Sequence, residues 1–354
     1  MNFFSFRFLT FIVSVFILTI AILLSPNVRM FTTPRTLLSR LLPLGNRPAP
    51  TATPPHNNEV PPITSKSDNS HSKTNTSPAP ANMSTTSRTP VYFLSHGGPN
   101  IMYEKDHPVF PKLQEIGREI TQRVKPKAVV VFSAHWQAKP NAIEINTFED
   151  TELIYDFYGF PSHYYEETYP NKGSFPIAQH VIELLTKHDI QVSGTRRGLD
   201  HGVWASFKVA FDPLTNPLQV PVIQVSLFAT ESPTQHLALG RAVSALRSEG
   251  ICLIMSGMAV HNLRDMRFGF DDVQPYAKSF DEALREAVEG EGDRDEKMIA
   301  LLKRKDARGA HPSFEHLLPV HVGVGAAAGD AGKRLWTLVE GPFSWAQYRW
   351  GELP

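Results

Sequence analysis

The stretch Ala128-Val129-Val130-Val131-Phe132-Ser133-Ala134-His135-Trp136 decides how this chain is read. Its first five residues are continuously apolar and largely β-branched, which predicts a short strand buried on both faces rather than one with a wet side. Small residues and then an imidazole follow. Outward from this run, further strands are predicted over 91–94, 142–146, 190–193, 220–227, 251–255 and 335–340. Helical spacing of apolar residues predicts helices over 108–123, 174–188, 233–248, 276–289, 294–304 and 314–328. Such alternation implies a single α/β domain with a central mostly parallel or mixed sheet covered by helices on both faces.

In open α/β sheets, ligands bind where strands end and their loops form a crevice. Three predicted strands deliver a histidine to that edge: His96 in Ser95-His96-Gly97-Gly98-Pro99, His135 as above, and His261 in Val260-His261-Asn262-Leu263. His201 lies in Asp200-His201-Gly202, and His316 in Glu315-His316-Leu317-Leu318-Pro319. A lone histidine is more often a hydrogen-bonded structural residue than a ligand. Several at one sheet edge point to a metal, because neutral imidazole is the commonest metal ligand and ligands on separate strands need no local motif. His163, His180, His188, His236 and His321 read as surface, packing or supporting residues.

The formal charge of zero conceals a division. Residues 1–90 hold 8 Lys/Arg and 2 Asp/Glu, and the rest holds 27 against 33. An acidic body without a basic stripe is a poor phosphate binder, so nucleic acid is not expected as a partner. With one cysteine, Cys252, neither an intramolecular disulfide nor a cysteine zinc cluster can form. From Phe8 to Leu24 no charge interrupts 17 apolar or hydroxylated residues, which predicts a transmembrane helix. The chain therefore divides, as expectation, into a membrane anchor over 1–28, a basic and then Pro/Ser/Thr-rich disordered linker over 29–89 with nine prolines between 48 and 90, and a catalytic domain over 90–354. Arginines at 29, 35, 40 and 47 put the body in the cytosol by the positive-inside tendency. An acid-poor leader also suits mitochondrial import, and translation from Met83 would give a soluble cytosolic protein.

Taken together with Ile154-Tyr155-Asp156-Phe157-Tyr158-Gly159-Phe160-Pro161, the histidine motifs resemble, in matching order over 90–345, the class III extradiol ring-cleaving dioxygenases (LigB-like), and within them the DOPA dioxygenase branch. The resemblance implies insertion of both atoms of O2 into a catecholic, DOPA-like substrate at a histidine-bound divalent metal. It implies His96, His135 and His316 as ligands, with His261 either a fourth ligand or an acid/base, and His201 beside substrate or oxygen. Iron(II) is the metal expected for activity, with zinc(II) possible in the same site.

A catechol must lose protons to chelate, and His201 or His261 is suited to accept one. Asp200 is a candidate to orient His201, Glu315 reads as a charge at a helix N-terminus, and Trp136, Tyr155, Tyr158 and Phe160 are candidates for an aromatic substrate pocket. Two alternatives use the same histidines: a zinc-dependent hydrolase, and a non-catalytic metal-binding scaffold. A Ser-His-Asp hydrolase is disfavoured, since no Gly-x-Ser-x-Gly elbow is present.

Overall fold

A computed structural model describes residues 88–354. Strands β1 (Val91–Ser95), β2 (Ala128–Gln137), β3 (Ala142–Asn146), β4 (Gln191–Thr195), β5 (Val222–Leu227) and β6 (Ile251–Gly257) form most of one eight-stranded sheet. A short β7 (Val260–His261) follows, then β8 (Gly332–Trp336), β9 (Val339–Glu340), β10 (Phe343–Ser344) and β11 (Gln347–Trp350). The large sheet runs β4-β3-β5-β2-β6-β1-β11-β8, and β7-β10-β9 make a small second sheet. Its centre, β5-β2-β6-β1, is parallel, whereas β11 is antiparallel to both β1 and β8. The mixed sheet expected from sequence is therefore the one observed.

Alternation along the central strands feeds two cores. Val91, Phe93, Val130 and Phe132 pack on one face, and Tyr92, Leu94, Val129 and Val131 on the other, all fully buried. Helices Phe175–Lys187, Pro233–Val243, Pro275–Glu289 and Leu318–Ala327 contribute to the first core, and helices Val109–Arg118 and His201–Ala210 to the second. The strand expected over 335–340 is two, β8 and β9, and the helix expected over 314–328 begins only at Leu318. Helix His201–Ala210 was not anticipated. Nearly all of it is buried, so its apolar residues run around the whole helix and leave no 3.6-residue period to detect.

The membrane anchor expected over 1–28 is corrected. Among the described residues no helix is long and apolar enough to cross a membrane. The longest α-helix there, Pro275–Glu289, has 15 residues, whereas a span needs about 20. The segment itself lies outside the described residues, which hold no membrane-spanning helix, and the single-pass, cytosol-facing placement, unsupported by them, is withdrawn. Most of the expected linker, 29–87, also lies outside them. At the start of the described residues Thr89 is tied to the body: its N–H donates to the Arg247 carbonyl at 3.0 Å and its hydroxyl to that of Ile251 at 2.6 Å.

Candidate metal centre and active-site cavity

The three adjacent strands β2, β6 and β1 end on one edge, paired through Ser133 with Ser256 and Ser95 with Gly257. His96 leaves β1 directly, its N–H donating to the Gly257 carbonyl at 2.9 Å. His135 sits near the end of β2, which runs on past the predicted boundary to Gln137. His316 arrives from the turn before helix Leu318–Ala327. His135 Nε2 lies 3.2 Å from His96 Nε2 and 3.2 Å from His316 Nε2.

The opposite ring nitrogen of each histidine explains this convergence. His96 Nδ1 is 2.8 Å from Ser256 Oγ, whose own proton goes to the Gly202 carbonyl, so the hydroxyl accepts from the ring. His135 Nδ1 is 3.0 Å from an Asp156 oxygen and His316 Nδ1 is 3.0 Å from Glu315 Oε1, both acceptors only. Each Nδ1 therefore carries a proton, and in the neutral rings three Nε2 lone pairs face one point. Lone pairs at that separation repel unless a cation lies between them. Bonds of about 2.1 Å from one metal to three imidazoles require nitrogens roughly 3.0–3.4 Å apart, so the set fits a divalent ion.

Burial, then the neighbouring imidazoles, keeps His96 and His316 well below the ordinary histidine pKa, so both are neutral and ready to ligate. Burial also pulls on His135, but its hydrogen bond to Asp156 and the nearby carboxylates outweigh that and raise it. Burial alone would raise Asp156, yet the donors from His135 and His201 hold its carboxyl well below the usual range. Gly202 makes room for the cluster. A Cβ there would stand 2.6 Å from the His135 ring and 3.0 Å from that of His96.

His201 packs beside His135 with ring centroids 4.2 Å apart, and its Nδ1 lies 2.7 Å from Asp156 Oδ1. His261 is outside the three converging nitrogens; its ring stacks on His316 at 3.7 Å between centroids and 14° between planes, near Glu315. Asp200, expected to orient His201, instead accepts from Ser133 Oγ at 2.7 Å and from Gln224. Sequence adjacency points to the wrong aspartate, although Asp156 lies inside the motif at 154–161. Glu315 is not at a helix N-terminus: it precedes the helix and holds His316.

A cavity of about 450 Å³ opens above the histidines. His96, His135, His201, His261 and His316 line it, as do Tyr158 and Phe160. Trp136 and Tyr155 do not. Strand alternation turns Trp136 away from the face of His135, toward Glu144 and under the Arg197 guanidinium. Tyr155 packs on Trp204 and donates to the Glu167 carbonyl at 2.7 Å. The wall they were expected to form comes from Phe343, Trp345 and Phe270, late residues with no sequence signal beyond being apolar. Trp345 is anchored by its Nε1, which donates to Glu340 at 2.6 Å, and Glu340 is also 2.9 Å from His107 Nε2. Its ring lies so close to Gly97, a left-handed residue at φ 65°, that a Cβ there would collide with it at 2.2 Å.

Comparison with known proteins agrees with this geometry. Residues 86–346 match the family described as the catalytic LigB subunit of aromatic ring-opening dioxygenase. The chain is 32% identical over 263 residues to a 4,5-DOPA dioxygenase extradiol-like protein of Schizosaccharomyces pombe, covering 69% of this chain and 86% of that one. It is 34% identical over 239 residues to the 4,5-DOPA dioxygenase extradiol of Beta vulgaris, covering 67% and 86% respectively. Among solved structures, it resembles an uncharacterized protein of Escherichia coli K12 at TM-score 0.61 and 28% identity, over 75% of this chain and all of that one. With a family match across most of its length and relatives whose own length it largely spans, the chain belongs to the LigB family, on the DOPA branch of the class III extradiol enzymes, and is a metal-dependent ring-cleaving dioxygenase of a catecholic substrate and O2.

Proposed function

We propose that His96, His135 and His316 hold a single divalent metal through Nε2, that iron(II) is the active metal, and that His201 and His261 manage the protons of a ring-substituted catechol of the class to which DOPA belongs. The observation that carries this reading is the convergence of three Nε2 atoms whose Nδ1 partners are all engaged. When bound, iron(II) supplies the redox-active centre at which catechol oxygens and O2 meet; zinc(II) accepts the same imidazoles but brings no redox chemistry.

The protein's own part is proton management and orientation. Asp156 fixes the proton of His201 on Nδ1, leaving Nε2 to take a proton from a catechol hydroxyl and to return it once the ring has opened. His261, stacked on His316, stands beside a different ligand from His201, which packs on His135. The two hydroxyl protons of a catechol thus each have an imidazole to receive them, and His261 serves as acid/base or as a further ligand from the same position. Trp345 and Phe343 form apolar walls that keep the ring in place and exclude water. The catalytic domain in this reading is residues 90–354.

Anaerobic loading with iron(II), followed by air and a panel of catechols, tests the proposal. The expected result is a yellow, strongly absorbing ring-opened semialdehyde with iron and none with zinc. Equal turnover by the zinc-loaded protein, or none with iron, would remove it.

A further inference from the structure

The chemistry of the cavity divides it in two. Its floor is the histidine cluster. Its walls and mouth are apolar, and no lysine or arginine is among the described residues that line it. Asp156 is the single carboxylate among the described lining residues, and both its oxygens already accept, from His135 and from the ring and N–H of His201. Asn100 has its amide donating to Glu104 at 2.7 Å. The cations of the neighbouring segment stay outside: Arg264 is exposed, and Arg267 is exposed, 3.6 Å from Asp265 and stacked over Phe268.

At the mouth the apolar side chains face water. Tyr158 is 92% exposed, Leu263 58%, Phe270 41% and Met266 38%, although all four line the cavity. Exposed apolar surface continuous with a binding cavity is stabilised by an apolar ligand group that covers it. A substituent carrying a carboxylate and an ammonium would instead lose hydration there without gaining an opposite charge, which is the costly case.

We propose that the substituent on the catechol ring is uncharged and apolar, an alkyl or aryl group seated against Leu263, Met266 and Phe270, and that this cavity selects against the zwitterionic side chain of DOPA. The inference rests on the catechol reading above and narrows it. It concerns the part of the substrate that does not react, and is therefore separable from the metal chemistry.

The test has two arms on the full-length protein. In the iron(II)-loaded enzyme, kcat/KM for 4-phenylcatechol is expected to exceed that for DOPA by about 10-fold or more. DOPA equal to or better than 4-phenylcatechol overturns the inference. In the metal-free protein, calorimetry compares 4-phenylphenol with tyrosine, a matched pair that cannot be ring-opened. Tighter binding of 4-phenylphenol supports the inference even if no catechol is turned over, in which case only the dioxygenase assignment of the site falls; equal binding overturns it. Leu263→Arg places a cation at an exposed position of the mouth without disturbing the core. It is expected to raise the DOPA to 4-phenylcatechol ratio of kcat/KM about 10-fold, and an unchanged ratio would remove this wall as the seat of the substituent.

Discussion

His201 is joined twice to Asp156: its ring Nδ1 and its own backbone N–H both meet the same carboxylate oxygen, at 2.7 and 3.0 Å. The other oxygen holds His135 Nδ1 at 3.0 Å. A single carboxylate therefore sets the tautomer of an imidazole in the proposed metal-binding trio and of one facing the cavity.

Replacing Asp156 by Asn keeps the shape and one acceptor oxygen but turns the other into an NH2 donor, so the two ring protons can no longer both be accepted. Metal affinity is expected to fall about 10–100-fold, the usual effect of losing a carboxylate behind a ligating histidine. Turnover at saturating metal is expected to fall as well, because His201 is no longer held in one tautomer. Metal titration with parallel steady-state kinetics checks both, and parental values for the two would show that Asp156 orients neither ring.

The histidines separate by phenotype. His96→Ala, His135→Ala or His316→Ala should yield protein that does not retain stoichiometric metal after dialysis. His201→Ala should retain it and lose roughly 10²–10⁴-fold in kcat, the ordinary contribution of a positioned acid/base. Metal analysis of the four purified variants distinguishes the groups, and a metal-free His201→Ala would move that residue into the ligand set.

Gly202 has no room for a side chain. Its added Cβ would meet the His135 and His96 rings at 2.6 and 3.0 Å, so Gly202→Ala should displace those imidazoles. Overpacking of this kind costs about 1–3 kcal/mol, which a domain of this size survives. The expected variant is folded by circular dichroism yet binds metal at least about ten times more weakly. Parental affinity would mean that the rings can yield without loss.

Stability should depend on pH through buried histidines outside the proposed ligand set. Burial, as the largest cause, lowers His236, His311 and His321 to about 4. In the unfolded chain they titrate near roughly 6.5. Between those values the unfolded state binds more protons than the folded one, so their contribution is fully present above about 6.5 and is lost as pH falls toward 4. Each contributes a slope of roughly 1.4 kcal/mol per pH unit within that window. Denaturant midpoints at pH 7.5, 6 and 5 should fall in that order; a flat series would mean that these rings titrate normally in the folded state.

Local chemistry made part of this protein legible. The run at 128–132 must bury both faces, so it had to be apolar without interruption, and β2 lies where it predicts. The histidines at 96 and 135 follow from the same rule, because the end of a central strand is where its loop opens. Helix His201–Ala210 was hidden because its burial is set by surroundings on every side, which erases the periodicity that exposes a helix. Strand β11 was hidden for another reason: Gln347–Trp350 gains its pairing from β1, more than 250 residues earlier. The α/β class, the sheet edge where the histidines gather and the residue types present there are written in local patterning. Long-range packing alone brings three Nε2 atoms together, pairs Asp156 rather than Asp200 with His201, and places Trp345 rather than Trp136 in the cavity wall. Those are angular relations among side chains brought from distant segments by packing, and no local propensity encodes them.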